Sequence, residues 1–266
     1  MSKEGIVIHT DSADYDGMRR AGRLAAETLD MITPYVQPGI TTGELDKLCD
    51  DYINAHGGVS ACLGYHGYPK SVCISLNHVV CHGIPGDRKL VAGDILNIDV
   101  TAIVDGWYGD TSRMYVVGKP SVKSKRLVDI TFETMWRGIE QIREGATLGD
   151  VGYAMQTFAE KNHCSVVRDF CGHGLGRVFH AAPNVLNYGR PHEGLVLKEG
   201  MFLTVEPMVN LGDSDVKVLS DGWTTVTRDR SLSAQFEHSL AVTKTGYEIF
   251  TLSPKGLDHP PYGAAL

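Results

Sequence analysis

The chain has 266 residues, of which 42% are hydrophobic and 21% are charged. This balance is typical of a globular protein and excludes a disordered, collagen-like or coiled-coil chain. The formal net charge of −7 argues against sequence-independent nucleic-acid binding, and the apolar runs fall short of the roughly 20 residues that span a bilayer.

Targeting signals and cysteines point to the same compartment. The first ten residues, MSKEGIVIHT, lack the basic and then apolar pattern of a secretory signal. The six cysteines form no CxxC pair, which is typical of free thiols in a reducing compartment. We therefore expect a cytoplasmic protein without a disulfide framework.

Helical periodicity defines two similar pairs of helices. Apolar residues at three- and four-residue steps predict a helix from about Ser12 to Thr33, and a capping box at Thr41 and Glu44 opens a second. Ser121 can cap a third helix, and the segment 145–150 opens a fourth. The chain thus contains the same helix-helix order twice.

The two helix pairs share residues at a fixed spacing. Three residues, Gly39, Thr41 and Gly43, recur 106 positions later as Gly145, Thr147 and Gly149. Similar capping requirements at two helix starts are the alternative explanation. The strand-like runs GDILNID and GMFLTVE extend the match and make Asp99 equivalent to Glu206. We predict one domain over 1–253 with a duplication, about 12–117 and 120–250, and a C-terminal tail at 254–266.

Asp105 and Gly106 predict a two-residue β-hairpin turn between two alternating strands. With this turn, Asp110 lies opposite Thr101, and Thr101 shares a strand face with Asp99. The two aspartates are then diagonal neighbours on one face, with backbone positions roughly 7–8 Å apart. A cation fits between their carboxylates, provided that no bulge changes the register.

Three more residues complete a candidate ligand set. Glu206 and Glu237 lie in strand-like segments, and His173 is flanked by glycines that allow a close backbone approach. Taken singly, each acid is better explained as an exposed strand residue, and the histidine as a turn residue. Together with Asp99 and Asp110 they form an oxygen-rich set whose four negative charges two divalent cations would balance. Such ligands suit Mn, Fe, Co or Zn.

These residues lie in motifs that resemble one family. The resemblance to type I bacterial methionine aminopeptidase covers residues 5 to 250 and rests on the motifs VCHGIP (80–85), NIDV (97–100), GDTS (109–112), GHGLG (172–176), TVEPM (204–208) and SAQFEH (233–238). It implies the pita-bread fold, an α/β domain of the α+β type. In that fold, duplicated helix-helix-strand units related by a pseudo-twofold axis surround a curved antiparallel sheet.

The resemblance also implies site residues. One metal would bind Asp99, Asp110 and Glu237, and the other would bind Asp110, His173, Glu206 and Glu237. The catalytic residues would be His82, His180 and Glu206, with both histidines contacting substrate. The methionine pocket would consist of Cys62, Tyr65, His66, Tyr68, Cys73, Phe179, Met208 and Trp223. A monovalent cation would bind near Asn77, Val79 and Ser233.

The function implied by the resemblance is hydrolytic removal of the initiator methionine when the second residue is small. Partners would be the N-termini of nascent polypeptides, with ribosome contact a further expectation, and the protein would be a monomer without membrane or nucleic-acid partners. The chain departs from the family at Ala181 and Ala182, where an acid often follows the histidine. Two alternatives are a different enzyme of the same fold, such as a prolidase, aminopeptidase P or creatinase relative, and a non-catalytic binding relative.

Overall fold

The structure is a computed structural model and describes residues 5–262. Four α-helices lie in this range: α1 (Ser12–Ile32), α2 (Thr42–Ala55), α3 (Val122–Ile139) and α4 (Leu148–Lys161). Two 3₁₀ helices span Thr33–Tyr35 and Tyr65–Gly67. None of the helices in the described part of the chain combines the length and apolar composition that a membrane span needs.

Fifteen short strands alternate with the helices of the described residues. They are β1 (Val59–Ser60), β2 (Cys73–Leu76), β3 (Val79–Cys81), β4 (Ile95–Val104), β5 (Trp107–Val116), β6 (Ser165–Val166), β7 (Gly172–Gly174), β8 (Ala181–Val185), β9 (Phe202–Val205), β10 (Met208–Asn210), β11 (Val216–Val218), β12 (Thr225–Thr227), β13 (Ser233–Gln235), β14 (His238–Val242) and β15 (Tyr247–Ile249).

The strand pairs described here are antiparallel, which agrees with the α+β prediction. A four-stranded sheet has the order β1-β4-β2, with β5 paired to β4, and a five-stranded sheet has the order β15-β14-β9-β7-β8. Two three-stranded sheets, β13-β10-β6 and β11-β12-β3, complete the arrangement. The helices and sheets enclose a main apolar core to which all four helices contribute.

The predicted helix starts are confirmed. The Thr41 hydroxyl accepts from the Glu44 backbone N–H, and the Glu44 carboxylate accepts from the Thr41 N–H, which is the capping box predicted for α2. Thr147 and Asp150 form the same pair of bonds at α4. The predicted cap of α3 also forms, because the Ser121 hydroxyl accepts from Ser124 N–H. The two helix starts are therefore built alike, while the duplication of the whole unit stays a prediction.

The predicted hairpin forms in full register. β4 and β5 form ten residue pairs without a bulge, and these include Val104 with Trp107 and Thr101 with Asp110. α1 packs directly on β5 at Gly109, where a Cβ atom would lie 2.2 Å from the backbone carbon of Ala21. This close contact holds the strand that carries Asp110 against the first helix.

The continuous strand predicted around Glu237 is interrupted. β13 ends at Gln235 and β14 begins at His238, so that Phe236 and Glu237 lie between them. Glu237 leaves the ladder because its backbone N–H donates to the Ser112 carbonyl, 3.2 Å away on β5. The break therefore brings a residue of the second predicted half against the strand of Asp110.

A buried ion pair anchors the C-terminal segment. Arg113 Nη1 lies 2.5 Å from Asp30 Oδ1, and both side chains are buried. The Ser253 hydroxyl donates to the same carboxylate, and the Tyr262 ring lies 5.3 Å from the Arg113 guanidinium carbon. The described part of the predicted tail thus docks on α1 and β5, and its last residues, 263–266, lie outside the described residues.

We expect Arg113→Met to lower the free energy of unfolding by about 3–5 kcal/mol, because Asp30 would be left as an unpaired buried charge. Urea denaturation measures this value. Lys47→Met is the matched control: it breaks an exposed α2 pair with Asp51, and such pairs contribute about 0–1 kcal/mol. Equal losses in the two variants would contradict the structural role of the buried pair.

Candidate metal centre

A cavity of about 590 Å³ opens between the two predicted halves. Its volume lies in the range of about 300–1,000 Å³ that is typical of ligand sites. The structure places in its wall every metal, catalytic and pocket residue predicted from the sequence: Cys62, Tyr65, His66, Tyr68, Cys73, His82, Asp99, Asp110, His173, Phe179, His180, Glu206, Met208, Trp223 and Glu237. Residues spread over most of the chain therefore meet in one place.

Three of the predicted ligands form a compact cluster. Asp110, His173 and Glu237 each offer one ligand atom, and these atoms lie within 4.8 Å of one another. His173 Nε2 is also 3.5 Å from Glu206 Oε1, which places a third carboxylate beside the same ring. Asp99 lies in the same cavity wall as this group.

Close backbone packing positions His173. A Cβ atom at Gly172 would lie 2.5 Å from the Thr204 carbonyl oxygen, and one at Gly174 would lie 2.2 Å from the Ala182 carbonyl oxygen. The glycines thus let β7 fit between β8 and β9, as their pattern predicted. The His173 Nδ1 atom is 3.0 Å from the Gly174 carbonyl. A proton on Nδ1 leaves Nε2 free to bind a metal.

Neighbouring side chains orient the carboxylates. The Thr101 hydroxyl donates to Asp110 Oδ1 over 2.7 Å. Thr204 Oγ1 donates to Glu206 Oε1 over 2.9 Å, and Gln235 Nε2 donates to Glu206 Oε2 over 3.1 Å. These bonds hold the acids in fixed orientations around the His173 ring.

The carboxylates are crowded and buried, which disfavours their charged forms. Burial, followed by the charge of Asp110, raises the pKa of Asp99 and of Glu237 well above the ordinary values. Burial also raises the pKa of Glu206 to about 7, although His173 opposes the shift. Burial alone would lower the pKa of His173, but its bond to Asp110 and the charge of Glu206 outweigh this and raise it.

Two buried carboxylate oxygens show whether the residues of this site fit a metal ion. Asp99 Oδ1 and Glu237 Oε1 have no hydrogen-bond partner among the described residues. Leaving a buried carboxylate oxygen without a partner is costly, and a cation would satisfy both atoms. The donors are one imidazole nitrogen and carboxylate oxygens, a set that suits divalent transition metals. The residues therefore fit the predicted cations.

His180 lies beside the cluster of candidate ligands. Its ring is 4.3 Å from the His173 ring, and its Nδ1 atom is 2.8 Å from the Tyr65 hydroxyl. Burial, followed by the charge of His173, lowers the pKa of His180 to about 3, so its imidazole is neutral near pH 7. A phenol that donates to Nδ1 leaves the ring proton on Nε2, where it is available to a substrate oxygen.

His82 also lines the cavity and lies near two aromatic rings. Its ring contacts Phe170 at 5.3 Å and Trp223 at 6.1 Å. Burial lowers the pKa of His82, so this ring too is neutral near pH 7. The cavity thus offers two uncharged imidazoles that can form hydrogen bonds.

An apolar wall adjoins the ligands. A buried cluster contains Cys62, Cys73, Tyr68 and Phe179, with Tyr65 and Trp223 packed against it. The Tyr68 hydroxyl donates to the Gly83 carbonyl over 2.9 Å, so its polar end is satisfied inside the wall. Aromatic rings and thiols are polarizable and bind a thioether side chain well.

Several cavity residues were not recognised as site residues from the sequence. Thr101 was predicted opposite Asp110, so the hydrogen bond between the two side chains could have been predicted from the hairpin register. Gln235 gave no such signal, because its bond to Glu206 depends on the packing of β13 against β10. The remaining unrecognised lining residues are Cys81, Asp169, Phe170, Cys171, Ala181, Ala182 and Asn184.

The predicted monovalent site lies outside this cavity wall. Ser233 N–H donates to the Asn77 carbonyl over 2.8 Å, which joins two of its three residues. The Ser233 hydroxyl is buried and has no partner among the described residues. Val79 pairs with Val226 on the neighbouring strand β12.

Comparisons with known proteins agree with this geometry. Residues 16–244 match the model of metallopeptidase family M24. The chain is 62% identical to a methionine aminopeptidase of Rickettsia prowazekii over 97% of this chain and 99% of the relative. It is 57% identical to that of Escherichia coli K12 over 90% and 91%.

A solved structure completes the comparison. The crystal structure of methionine aminopeptidase from Rickettsia prowazekii superimposes with a TM-score of 0.92 at 60% identity, covering 93% of this chain and 100% of that one. A match of this extent confirms the predicted pita-bread fold. The chain belongs to metallopeptidase family M24 and, within it, to the bacterial methionine aminopeptidases.

Proposed function

We propose that this chain hydrolyses the peptide bond after an N-terminal methionine when the second residue is small, using two divalent cations. The observation that carries the proposal is the convergence of all five predicted ligands and both histidines on one cavity with an apolar wall. The relatives named methionine aminopeptidase also support the proposal, and the one from Rickettsia prowazekii is 62% identical to this chain.

The donor set suggests how the cations would be shared. Asp99, Asp110 and Glu237 would hold one ion, and Asp110, His173, Glu206 and Glu237 the other. Bound there, Co, Mn, Fe or Zn would polarise the scissile carbonyl and acidify a water molecule. Balancing four carboxylates, the ions would also remove the repulsion that raises the pKa of Asp99 and Glu237.

Side chains of the protein would bind the substrate and transfer the protons. Nε2–H of His180 would donate to the carbonyl oxygen as negative charge develops there. His82 would hold the peptide near the scissile amide. Glu206, whose two oxygens are oriented by Thr204 and Gln235, would accept the proton of the attacking water and return it to the leaving nitrogen.

The apolar cluster around Tyr68 is the proposed methionine pocket. Cys62, Cys73 and Phe179 are each less than a tenth exposed and would surround an unbranched thioether without polar competition. The free amine of the substrate would lie at the carboxylate cluster, which restricts cleavage to chain ends. We also propose a monovalent cation beside the Ser233 hydroxyl, which has no hydrogen-bond partner among the described residues, near Asn77 and Val79.

The cellular setting is proposed from the same reasoning. Substrates would be nascent polypeptides, met in the cytoplasm and near the ribosome, and the working form would be a monomer. Residues 1–253 would form one catalytic domain with an internal duplication, followed by the tail. These proposals are testable by fractionation, ribosome sedimentation and light scattering.

The decisive assay measures methionine release from Met-Ala-Ser by the Mn²⁺-loaded protein. We expect turnover of Met-Ala-Ser, loss of at least about 100-fold with Met-Leu-Ser, and no turnover of acetyl-Met-Ala-Ser. A prolidase-type enzyme would instead cleave an X-Pro dipeptide, and a binding relative would cleave neither. Either pattern would overturn the proposal.

A further inference from the structure

A second cavity lies next to the metal centre and has no part in the chemistry proposed above. Its volume is about 270 Å³. Most of its wall is apolar and comes from four regions: the N-terminal segment (Ile6 and Val7), the start of β5 (Trp107), the segment before β8 (Val178) and the start of β9 (Met201 and Phe202). Such a cavity suits apolar side chains more than a charged ligand.

The charged groups at its edges already have partners. Arg177 lies over the Trp107 ring at 4.5 Å and donates to the Asp105 carbonyl over 3.2 Å. Asp14 is 2.8 Å from His9 Nδ1. With both charges engaged, the surface that remains for a ligand is the apolar wall.

A thin stretch of backbone, 178–182, separates the two cavities. Val178 faces the second cavity, Phe179 and His180 line the first, and Ala181 and Ala182 line both. The two alanines are the smallest side chains of this wall and lie at the start of β8, an edge strand of its sheet. The part of the wall with the smallest side chains is therefore directly beside His180, and a bound chain can pass there from one cavity to the other.

A bound substrate would reach this crossing within a few residues. Its scissile bond would lie at His180, and an extended chain advances about 3.3–3.6 Å per residue. One strand is about 4.8 Å wide, so two residues cross it. The third residue would then lie over Ala181 and Ala182, and the fourth to sixth residues would enter the second cavity.

The N-terminal segment exposes apolar side chains at the second cavity, and a bound peptide would cover them. Ile6 is 37% exposed and Val7 is 52% exposed, although both line the cavity. A peptide lying there would remove these apolar side chains from water, which stabilises the complex. The continuity with the metal centre favours the substrate itself as the occupant.

We propose that this second cavity is a binding subsite for apolar side chains at the fourth to sixth residues of the polypeptide substrate. This inference rests on the proposed function of the metal centre. Substrate specificity would then extend beyond the second residue of the substrate, and longer apolar substrates would be preferred over short or acidic ones.

The test compares kcat/KM for Met-Ala-Ser, Met-Ala-Ser-Leu-Val-Ser and Met-Ala-Ser-Asp-Asp-Ser with the Mn²⁺-loaded full chain. We expect the apolar hexapeptide to exceed the tripeptide by about ten-fold, the gain from burying one apolar side chain, and the acidic hexapeptide to show no gain. Val7→Asp should remove the gain. Val196→Asp is the matched control, since Val196 is 48% exposed and lines neither cavity, and it should keep the gain.

A second readout does not depend on turnover. Backbone hydrogen exchange in residues 5–9 and 176–183 should slow when the product peptide Ala-Ser-Leu-Val-Ser binds, and should not slow with Ala-Ser. Failure of the wild-type protein to cleave the tripeptide would overturn the proposed function and this inference with it. Normal tripeptide cleavage with equal rates for both hexapeptides would overturn the subsite alone. So would a change of oligomeric state in Val7→Asp with unchanged rate ratios, which would assign the cavity to a second copy of the chain.

Discussion

Replacing Asp110 by asparagine is expected to lower kcat/KM for Met-Ala-Ser by roughly 1,000-fold or more. Asp110 belongs to the compact cluster with His173 and Glu237, and it is the carboxylate proposed to serve both cations. The amide keeps the shape but loses the negative charge and one acceptor oxygen. Metal analysis after dialysis should show a matching loss of bound Mn²⁺.

Asp169→Asn is the matched control for this change. Asp169 lines the same cavity but has no place in the proposed ligand set. We expect the control to retain activity within about three-fold and to bind metal normally. Full metal content in Asp110→Asn with more than a tenth of wild-type activity would contradict the proposed ligand set.

The metal-free protein is expected to lose stability as the pH rises from 7 to 8. Burial and mutual repulsion raise the pKa of Asp99 and Glu237 well above their ordinary values, and burial raises that of Glu206 to about 7. At pH 7 the carboxylates of the unfolded chain have lost their protons, whereas the folded Glu206, with a pKa of about 7, still holds part of its proton, and the raised pKa values of Asp99 and Glu237 act in the same direction. Because the folded state binds more protons, its free energy of unfolding falls by about 1.4 kcal/mol per pH unit for each proton retained.

The raised pKa values of His173 and of buried cysteines act in the same direction as those of the carboxylates, so the carboxylate contribution is isolated by substitution and by metal. His82, His180 and His238 have lowered pKa values, so they oppose the trend only below the ordinary histidine value of 6.5. Urea denaturation at pH 7 and 8 measures the slope. Glu237→Gln should reduce it, and saturating Mn²⁺ should reduce it further, because the bound ions keep the carboxylates ionised. A stability that is flat or rises with pH in the metal-free protein would contradict the assignment.

Local features of the fold could be predicted from the sequence because their causes are local. The capping box at Thr41 depends on groups three residues apart. The Asp105-Gly106 turn sets the register of β4 and β5, and this register places Asp99 and Asp110 on one face. The glycines around His173 likewise predicted a close backbone approach, which occurs against β8 and β9.

The set of metal ligands required more than local reasoning. Nothing in the residues around Glu237 indicates that it leaves its strand to bond with Ser112. Its place in the ligand set was predicted from its residue type and strand-like surroundings, whereas its assignment to both cations and the roles of His82 and His180 came from the family motifs. The orienting bond from Gln235 to Glu206 was not predicted at all, because it joins residues 29 positions apart through the packing of separate strands.

The helix starts, the central hairpin, the oxygen-rich ligand types and the family motifs could be predicted from the sequence, since each depends on neighbouring residues or on recognisable patterns. Tertiary structure alone decided where these parts meet: the meeting of Asp110, His173 and Glu237, the perturbed pKa values that follow from their burial, and the second cavity beyond Ala181 and Ala182. The physical reason is that burial and electrostatic repulsion depend on distances between residues far apart in the chain, and only the packed sheets set those distances.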